Sequence, residues 1–234
     1  TASGNISYTG YETSTTKANA TGVYLSSMTL NSTGGNITVN GSSQGAGTGV
    51  FFSSGATVWS MVADSASGSI SVLGYAPLTG VNGVTDIGSY GAMKAGTGGI
   101  TISAYGGTNS ANNGALFLTN FVASTTGNFT VQGATLNSNN AAAAPGVAAT
   151  GAGYGVLINN NGSRSVSGVS YTGISATGNI SISGTSTGAG IGIYGVSGLN
   201  STSGSVTTTG ATGSGSYGNF VNGAITGGHG VYLT

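Results

Sequence analysis

The sequence predicts an all-β chain that folds as a right-handed parallel β-helix, or β-solenoid, with a roughly triangular section. A phrase of the form Gly-Asn-Ile-Thr-Val-Asn-Gly recurs along the chain, and its first five copies start about 30 residues apart, which is the period of a stacked repeat. Each repeat contains three short runs of strand-forming residues, separated by segments rich in Gly, Ser, Thr and Asn that favour turns. Within the runs apolar and polar residues alternate, as in strands with one buried face.

Residues 22–49 illustrate one repeat. A first strand is predicted over 22–27, a second over 28–31 and a third over 36–40. Three strands with corners between them favour a triangular coil, and each coil pairs in parallel with the next about 4.8 Å along the axis. Helices are disfavoured because Gly, Thr, Ser, Asn and Val, which fill most of the chain, destabilise them relative to Ala.

Counting the recurrences gives about seven to eight coils. The last five residues, 230–234, repeat the pattern of residues 22–26. We therefore expect residues 1–234 to form a single solenoid segment that belongs to a larger array.

Charged residues make up only 3% of the chain, and cysteine is absent. Three cationic side chains cannot supply the several phosphate contacts on which nucleic-acid affinity depends. The same scarcity disfavours binding to an anionic membrane surface, and no apolar run reaches the length of a membrane helix. We expect no nucleic-acid partner, no membrane insertion and no disulfide or thiolate chemistry.

The third strand predicts both the core and a structural ladder. Ile37 and Val39 alternate with Thr38, and the same pattern in later repeats would stack into a continuous apolar core. An Asn stands at the entrance to several of these strands, and its side-chain amide is expected to bond between coils. The predicted ladder consists of Asn5, Asn36, Asn128 and Asn179.

These Asn residues also permit a second interpretation. Each of them begins an Asn-x-Ser/Thr triplet, the acceptor pattern for N-glycosylation. In a chain this rich in Asn, Ser and Thr, many such triplets arise from composition alone. Both the ladder and the modification remain open at the level of sequence.

The first strand predicts an aromatic surface. Small apolar residues such as Val23 and Val50 are expected to point inward, so the residues that follow them should point outward. An exposed, Tyr-rich stripe of this kind suits sugar rings or protein partners. The alternative is that the rings are half-buried and stack to stabilise the coils. The predicted ligand-binding positions in this stripe are Tyr24, Phe51, Tyr194 and Tyr232.

Two segments are predicted to interrupt the repeat, near residues 75–97 and 134–173. Loops on a rigid scaffold often carry binding residues, so both are candidate contact regions. Trp59, the only tryptophan, precedes the first interruption and is a candidate for carbohydrate or protein contact. The candidate residues within that interruption are Tyr75, Asp86, Tyr90 and Lys94.

Catalysis is not predicted, and neither is a metal or a cofactor. The three carboxylates are scattered along the chain, unlike the paired acids of glycoside hydrolases. His229 is the only histidine and has no Cys, Asp or Glu near it in sequence, which disfavours a triad or a zinc site.

The Gly-Asn-Ile-Thr-Val-Asn-Gly phrase at 35–41 and the Gly-Thr-Gly-Val-Phe-Phe-Ser phrase at 47–53, joined by a Ser/Gly-rich run, resemble the passenger arrays of filamentous-haemagglutinin-type exoproteins. These are large bacterial adhesins secreted by the two-partner route, and autotransporter passengers carry similar repeats. The resemblance covers residues 4–234. It implies a right-handed parallel β-helix at the bacterial cell surface, a role in attachment or biofilm formation, and an outer-membrane secretion partner for the full-length protein.

The sequence therefore predicts a structural, adhesive, extracellular segment whose partners are host-surface glycans or proteins. One alternative is a filament subunit in which copies of the chain join end to end. A lower-ranked alternative is an ice-binding solenoid, which requires a regular Thr array. Thr38 and Thr130 fit that array, whereas Ser71 and Ser181 interrupt it.

Overall fold

The structure is a computed structural model. All regular secondary structure in the part of the chain that it describes is β-strand. No helix with the length and hydropathy of a bilayer-crossing segment occurs among the described residues. The described residues are 1–14, 16, 21–26, 28–44, 47–53, 59–76, 82–86, 91–106, 113–117, 121–135, 153–158, 163–186, 191–196, 198–213, 217–221 and 223–234.

Three parallel sheets build the body, and each turn of the chain adds one strand to each of them. Strands are numbered in chain order. Sheet 1 contains β1 (Ile6–Glu12), β4 (Ile37–Ser43), β7 (Ser69–Tyr75), β10 (Gly99–Gly106), β13 (Phe129–Thr135), β18 (Ile180–Ser186), β21 (Ser205–Thr212) and β24 (Gly230–Leu233). Sheet 2 contains β2 (Val23–Ser26), β5 (Val50–Ser53), β8 (Asn82–Asp86), β11 (Asn113–Phe117), β14 (Val156–Ile158), β19 (Ile193–Val196) and β22 (Asn219–Val221). Sheet 3 contains β3 (Leu30–Ser32), β6 (Met61–Ala63), β9 (Ala92–Ala95), β12 (Val122–Thr125), β17 (Ile174–Ala176), β20 (Leu199–Ser201) and β23 (Ile225–Gly227).

The predicted parallel β-solenoid is confirmed by this topology. Neighbouring strands in each of the three sheets come from successive turns of the chain and run parallel. Equivalent residues of the recurring phrase lie opposite one another, as Ile37 does with Ile70 and Val39 with Val72. Register therefore aligns the repeats residue by residue, and each side chain of the phrase becomes part of a column that runs along the axis.

The core is formed by the inward-pointing columns of the three sheets. In β4 and β18, buried residues alternate with partly exposed ones along the whole strand, as predicted. Phe52 of sheet 2 and Phe121, which precedes β12, meet in the interior with ring centroids 6.3 Å apart. Because one coil alone cannot bury its apolar residues, stability depends on the stacking of repeats.

Glycine at the end of the recurring phrase is required by a close approach of two chain segments. Gly41 lies where β4 passes the start of β5, and a Cβ there would collide with the carbonyl oxygen of Gly49. The equivalent Gly184 faces the carbonyl oxygen of Gly192 in the same way. A side chain at these corners would push sheet 1 away from sheet 2.

The first predicted interruption, 75–97, differs from the expectation. Its described residues are largely strands: β8 pairs with β5 and β11 in sheet 2, and β9 pairs with β6 and β12 in sheet 3. Residues 77–81 and 87–90 lie outside the described residues. The segment has Gly-Val-Thr at 83–85, where β2 and β5 have Gly-Val followed by an aromatic residue, and strand pairing places β8 in sheet 2 nonetheless.

The second predicted interruption, 134–173, contains β14 of sheet 2 and a separate antiparallel hairpin of β15 (Ser163–Val166) and β16 (Val169–Thr172). Two residues with positive φ, Ser167 at 51° and Gly168 at 79°, close the hairpin. Positive φ at both turn residues gives a backbone twist that matches the twist of the two antiparallel strands. Residues 136–152 lie outside the described residues.

The last strand corrects the expectation for Tyr232. The phrase at 230–234 was expected to repeat the first strand, but β24 pairs with β21 in sheet 1. Tyr232 stands opposite Thr207 and is therefore not part of the aromatic stripe on sheet 2. The local sequences match because first and third strands share the same short apolar alternation, and only strand pairing distinguishes them.

Candidate functional site

The outer face of sheet 2 carries a column of large side chains. Register pairs Tyr24 with Phe51 at one end, and Leu157 with Tyr194 and then Phe220 at the other. Thr85 and Leu116 occupy the register positions between these two groups. Val23, Val50 and Ile193, which precede aromatic residues of the column, are buried, as expected for inward-pointing neighbours.

The N-terminal pair consists of Tyr24 and Phe51. Their rings are nearly parallel, with centroids 4.6 Å apart and an interplanar angle of 7°. This separation is close to the spacing of adjacent strands, so the parallel register places one ring directly over the other. The Tyr24 side chain is 62% exposed, whereas Phe51 is half-buried.

The C-terminal stack consists of Tyr154, Tyr194 and Phe220. The Tyr194 ring lies 5.1 Å from Tyr154 and 5.0 Å from Phe220, with interplanar angles of 21° and 8°. Tyr217 packs edge-on against Phe220 at 5.9 Å. Phe220 is 37% exposed and Tyr217 is exposed as well, so this end of the column also presents aromatic surface to solvent.

The N-terminal pair and the C-terminal stack offer flat, weakly polar surfaces with phenolic hydroxyls at their edges. Rings held parallel to one another cannot all present a full face outward, so contact with a partner involves edges and the outermost faces. An arrangement of this kind can bind apolar or amphipathic surfaces, including sugar rings. It contains no charged group among its six aromatic residues, so it has no electrostatic preference of its own.

Sequence reasoning missed two members of the C-terminal stack, Tyr154 and Phe220, and it also missed Tyr217, which packs against Phe220. One available signal identifies Phe220, because a Gly stands two residues before each ring in Gly22–Tyr24, Gly192–Tyr194 and Gly218–Phe220. Tyr154 lies before β14 and reaches the column from outside the strand. No pattern within one repeat identifies a residue that enters the column in this way.

Trp59 does not lie on an accessible surface. It is only 8% exposed, and its ring meets that of Tyr171 edge-on at 4.9 Å. The hairpin thus covers part of the outer face of sheet 3 and encloses a small second core there. The members of this second core are Trp59, Val62, Ala92, Val122, Val166 and Tyr171.

The remaining predicted contact residues do not converge. Tyr75 ends β7 in sheet 1, Asp86 ends β8 in sheet 2 opposite Phe117, and Lys94 lies in β9 of sheet 3. Lys94 Nζ donates a hydrogen bond of 3.1 Å to Asp64 Oδ1, and both side chains are about half exposed. Tyr90 lies outside the described residues. The three described residues therefore lie on three different sheets and do not form one binding loop.

The predicted Asn ladder forms two runs of hydrogen bonds between coils. Oδ1 of Asn5 accepts from the Asn36 backbone N–H at 2.9 Å, and Oδ1 of Asn36 accepts from the next coil at Ser69. In the second run Asn128 accepts from Asn179 at 2.8 Å, and Asn179 from a backbone N–H in the following coil. In both runs the donor is a backbone amide and the acceptor is the side-chain oxygen of an Asn.

The outer face of sheet 1 carries a column of hydroxyl side chains. Ser and Thr residues from successive strands lie opposite one another, which bears on the ice-binding alternative. Serine stands at three of the seven positions, so the methyl groups that a Thr array presents are not continuous. The column consists of Ser7, Thr38, Ser71, Thr101, Thr130, Ser181 and Thr207.

Among the described residues no group of three or more His, Cys, Asp or Glu side chains is placed to hold a metal ion. No protein-family model matches the chain, and no curated protein or solved structure is significantly similar to it. The solenoid and the aromatic column on sheet 2 are therefore the features that indicate a function.

Proposed function

We propose that this chain is a non-enzymatic structural segment of a secreted bacterial surface adhesin. It holds binding surfaces on a rigid rod, away from the cell, for attachment or biofilm formation. The observation that carries this proposal is the aromatic column on the outer face of sheet 2, with Tyr24 largely exposed at one end and Phe220 partly exposed at the other.

The proposed rod is a right-handed solenoid of seven to eight coils with a roughly triangular section. Among the described residues, sheet 1 has eight strands and each of the other two sheets has seven, which supports this coil number. At the spacing of parallel strands, such a rod is roughly 35 Å long. The resemblance to filamentous-haemagglutinin-type and autotransporter passengers supports an extracellular location, membership of a larger array and export through an outer-membrane secretion partner.

The proposed partners are host-surface glycans or proteins. Aromatic side chains supply large contact areas and immobilise few rotatable bonds on binding, which makes them effective anchors. Stacking on neighbours fixes the rings before a partner arrives, so little ordering entropy is lost. The near-neutral composition of the chain favours partners that are recognised by shape and apolar contact.

The test compares surface attachment of matched variants. We expect the double variant Tyr24→Ser, Phe220→Ser to lose most binding to an array of immobilised glycans and extracellular-matrix proteins. Tyr232→Ser is the matched control, because Tyr232 is a comparably exposed tyrosine, at 54%, that lies on sheet 1. Circular dichroism melting accompanies each binding measurement.

A drop in binding with little change in melting temperature supports the binding column. Unchanged attachment together with a lower melting temperature would show that the rings only stabilise the coils, and the proposal would then fail. Equal loss in the Tyr232→Ser control would mean that attachment depends on exposed tyrosines in general and not on sheet 2.

A second candidate function is end-to-end assembly of copies into a filament. At the two end strands of sheet 1, residues in the core-facing columns are exposed: Tyr8 in β1, and Val231 and Leu233 in β24. Stacking one copy on another would bury these residues and pair both strand edges. Light scattering that rises with protein concentration, and is abolished by Leu233→Lys, would favour this candidate. A monomer at all concentrations would exclude it.

A further inference from the structure

The outer face of sheet 1 contains a slot between two tyrosines. The strand register aligns Tyr11 of β1, Ser42 of β4 and Tyr75 of β7 in one outward column. Ser42 is the small member of this trio, so a gap one strand wide separates the two rings. This region lies on a different sheet from the N-terminal pair and the C-terminal stack.

The walls of the slot differ in how firmly they are held. Tyr75 packs edge-on against Tyr105 of the next coil, with ring centroids 6.2 Å apart and an interplanar angle of 63°. Tyr11 is 75% exposed, so solvent surrounds most of its ring. One wall is therefore supported by its neighbour, whereas the other is exposed enough to rotate towards a ligand.

The width of the slot suits one ring of a ligand. Tyr11 and Tyr75 lie two strand spacings apart, about 9.6 Å at their backbones. A ring in van der Waals contact with both walls requires about 3.5–4 Å on each side, or about 7–8 Å in all. Rotation of the exposed Tyr11 side chain is sufficient to narrow the slot to the width that the ligand ring requires.

The lining of the slot is neutral and mixed in polarity. A cavity of about 250 Å³ is bounded by Tyr11, Asn40, Gly41, Ser42, Leu73 and Tyr75. None of these residues is charged. Asn40 brings an amide and Ser42 a hydroxyl to the floor, while Leu73 adds an apolar contact. The volume lies below the roughly 300–1,000 Å³ typical of sites for drug-sized ligands, which limits the occupant to about one ring.

We propose that this slot binds a single neutral pyranose ring, as a free sugar or as one residue of a glycan. The apolar C–H faces of the pyranose stack between Tyr11 and Tyr75. Its hydroxyl groups exchange hydrogen bonds with Asn40 and Ser42. This inference deepens the proposed adhesive function, on which it rests, by assigning a ligand class and a second contact surface.

The chemistry of the lining favours a neutral sugar over other one-ring ligands. An anionic sugar would bury its charge beside uncharged side chains, at a cost in desolvation. A purely aromatic ring would leave the amide of Asn40 and the hydroxyl of Ser42 without new hydrogen bonds when it displaced their water. A pyranose has both an apolar face and hydroxyl edges, so it matches walls and floor together.

The test uses saturation-transfer NMR to measure binding of methyl glycosides of galactose, glucose, mannose and N-acetylglucosamine to the full chain. About 12 non-hydrogen atoms at typical ligand efficiency give a dissociation constant on the order of 1 mM. We expect at least one glycoside to bind at that level. Tyr11→Ala should weaken binding roughly fivefold, because one stacking wall is lost. Ser42→Trp should remove the Tyr11-dependent binding by filling the gap, and Tyr232→Ser should leave that binding unchanged.

No saturable binding of any glycoside below about 50 mM would overturn the slot, because that is far weaker than one-ring stacking supplies. Equal binding by wild type and by Ser42→Trp would place the sugar elsewhere and would also overturn it. Binding of indole but of no glycoside would identify a partner's aromatic side chain as the occupant, against the proposal. Attachment by the sheet 2 column is measured on the same samples, so failure of the slot and failure of the adhesive function give separate results.

Discussion

Sheet 1 and sheet 2 are built from the same repeat, but their strands differ in length and in regularity of register. Most strands of sheet 1 are seven or eight residues long, and their register is regular from β1 to β21. Strands of sheet 2 have three to five residues, and the register shifts between Tyr194 and Val196. Long strands with many paired positions fix the stacking of the coils. Short strands are constrained less, so their outer face accommodates large and varied side chains.

The difference between sheet 1 and sheet 2 is tested most strongly by removing one aromatic ring from each sheet. Phe129 is fully buried in the inward column of sheet 1, and Phe220 is the outermost ring of the C-terminal stack on sheet 2. We expect Phe129→Ala to lower the free energy of unfolding by about 4 kcal/mol, because it leaves a cavity in the core. Phe220→Ala should cost only about 1 kcal/mol, the value of an aromatic pair.

Chemical denaturation of the two variants, fitted with a common slope, measures this difference. Similar losses for Phe129→Ala and Phe220→Ala would contradict the division between a sheet that carries the core and a sheet that carries the surface.

The junction between the two sheets provides the next test. Gly41→Val places a side chain against the Gly49 carbonyl oxygen, and we expect a loss of about 3 kcal/mol from the forced separation of the strands. Gly4→Val is the matched control, because a Cβ at Gly4 meets no atom within 4 Å. Thermal unfolding followed by circular dichroism separates the two. A wild-type melting temperature for Gly41→Val would show that the corner adapts.

A smaller effect is expected from the hydrogen bonds between coils. Asn36→Ala removes the acceptor of the Ser69 backbone N–H and should cost about 1 kcal/mol. Asn36→Asp keeps an oxygen at the same position and should stay close to the wild type. If Ala and Asp are equally destabilising, the side-chain oxygen is not what the position requires. Equilibrium unfolding in urea resolves the two variants.

The smallest effect is expected at the ion pair on sheet 3. Lys94 and Asp64 are both about half exposed, so solvent screens their attraction. Lys94→Ala should change the free energy of unfolding by less than roughly 0.5 kcal/mol, and the difference should vanish in 0.5 M salt. A larger loss that persists in high salt would mean that the aliphatic stem of Lys94 contributes by packing.

Local pattern was sufficient for the strands of sheet 1 from β1 to β21. Ile37 and Val39 alternate with polar residues, and such alternation has one meaning when a glycine-rich turn follows. Local pattern was insufficient for β8 and β9. Their residues were assigned to an interruption of the repeat, and only pairing with neighbouring strands identifies them as strands. Local pattern was also misleading for Tyr232, because a short Gly-Val-Tyr-Leu run suits a first or a third strand equally well.

The candidate contact residues show more clearly what local sequence pattern does not predict. Tyr24 and Phe51 were placed correctly in one column, because they occupy equivalent positions in adjacent repeats. Trp59 was expected to be available to a partner, but the hairpin that buries it lies more than 100 residues further along the chain. Tyr11 was not singled out, since its importance depends on Ser42 and Tyr75 in later coils.

The sequence by itself determined that the chain is a stacked parallel β-solenoid, because a fixed repeat of short alternating strands buries its apolar residues when successive coils lie on one another. The tertiary structure alone decided which side chains share a surface. The number of residues between strands varies from one coil to the next, so spacing along the chain does not give spacing along the axis. Hydrogen bonding between strands sets that register, and with it the stacks, the slot and the covered tryptophan.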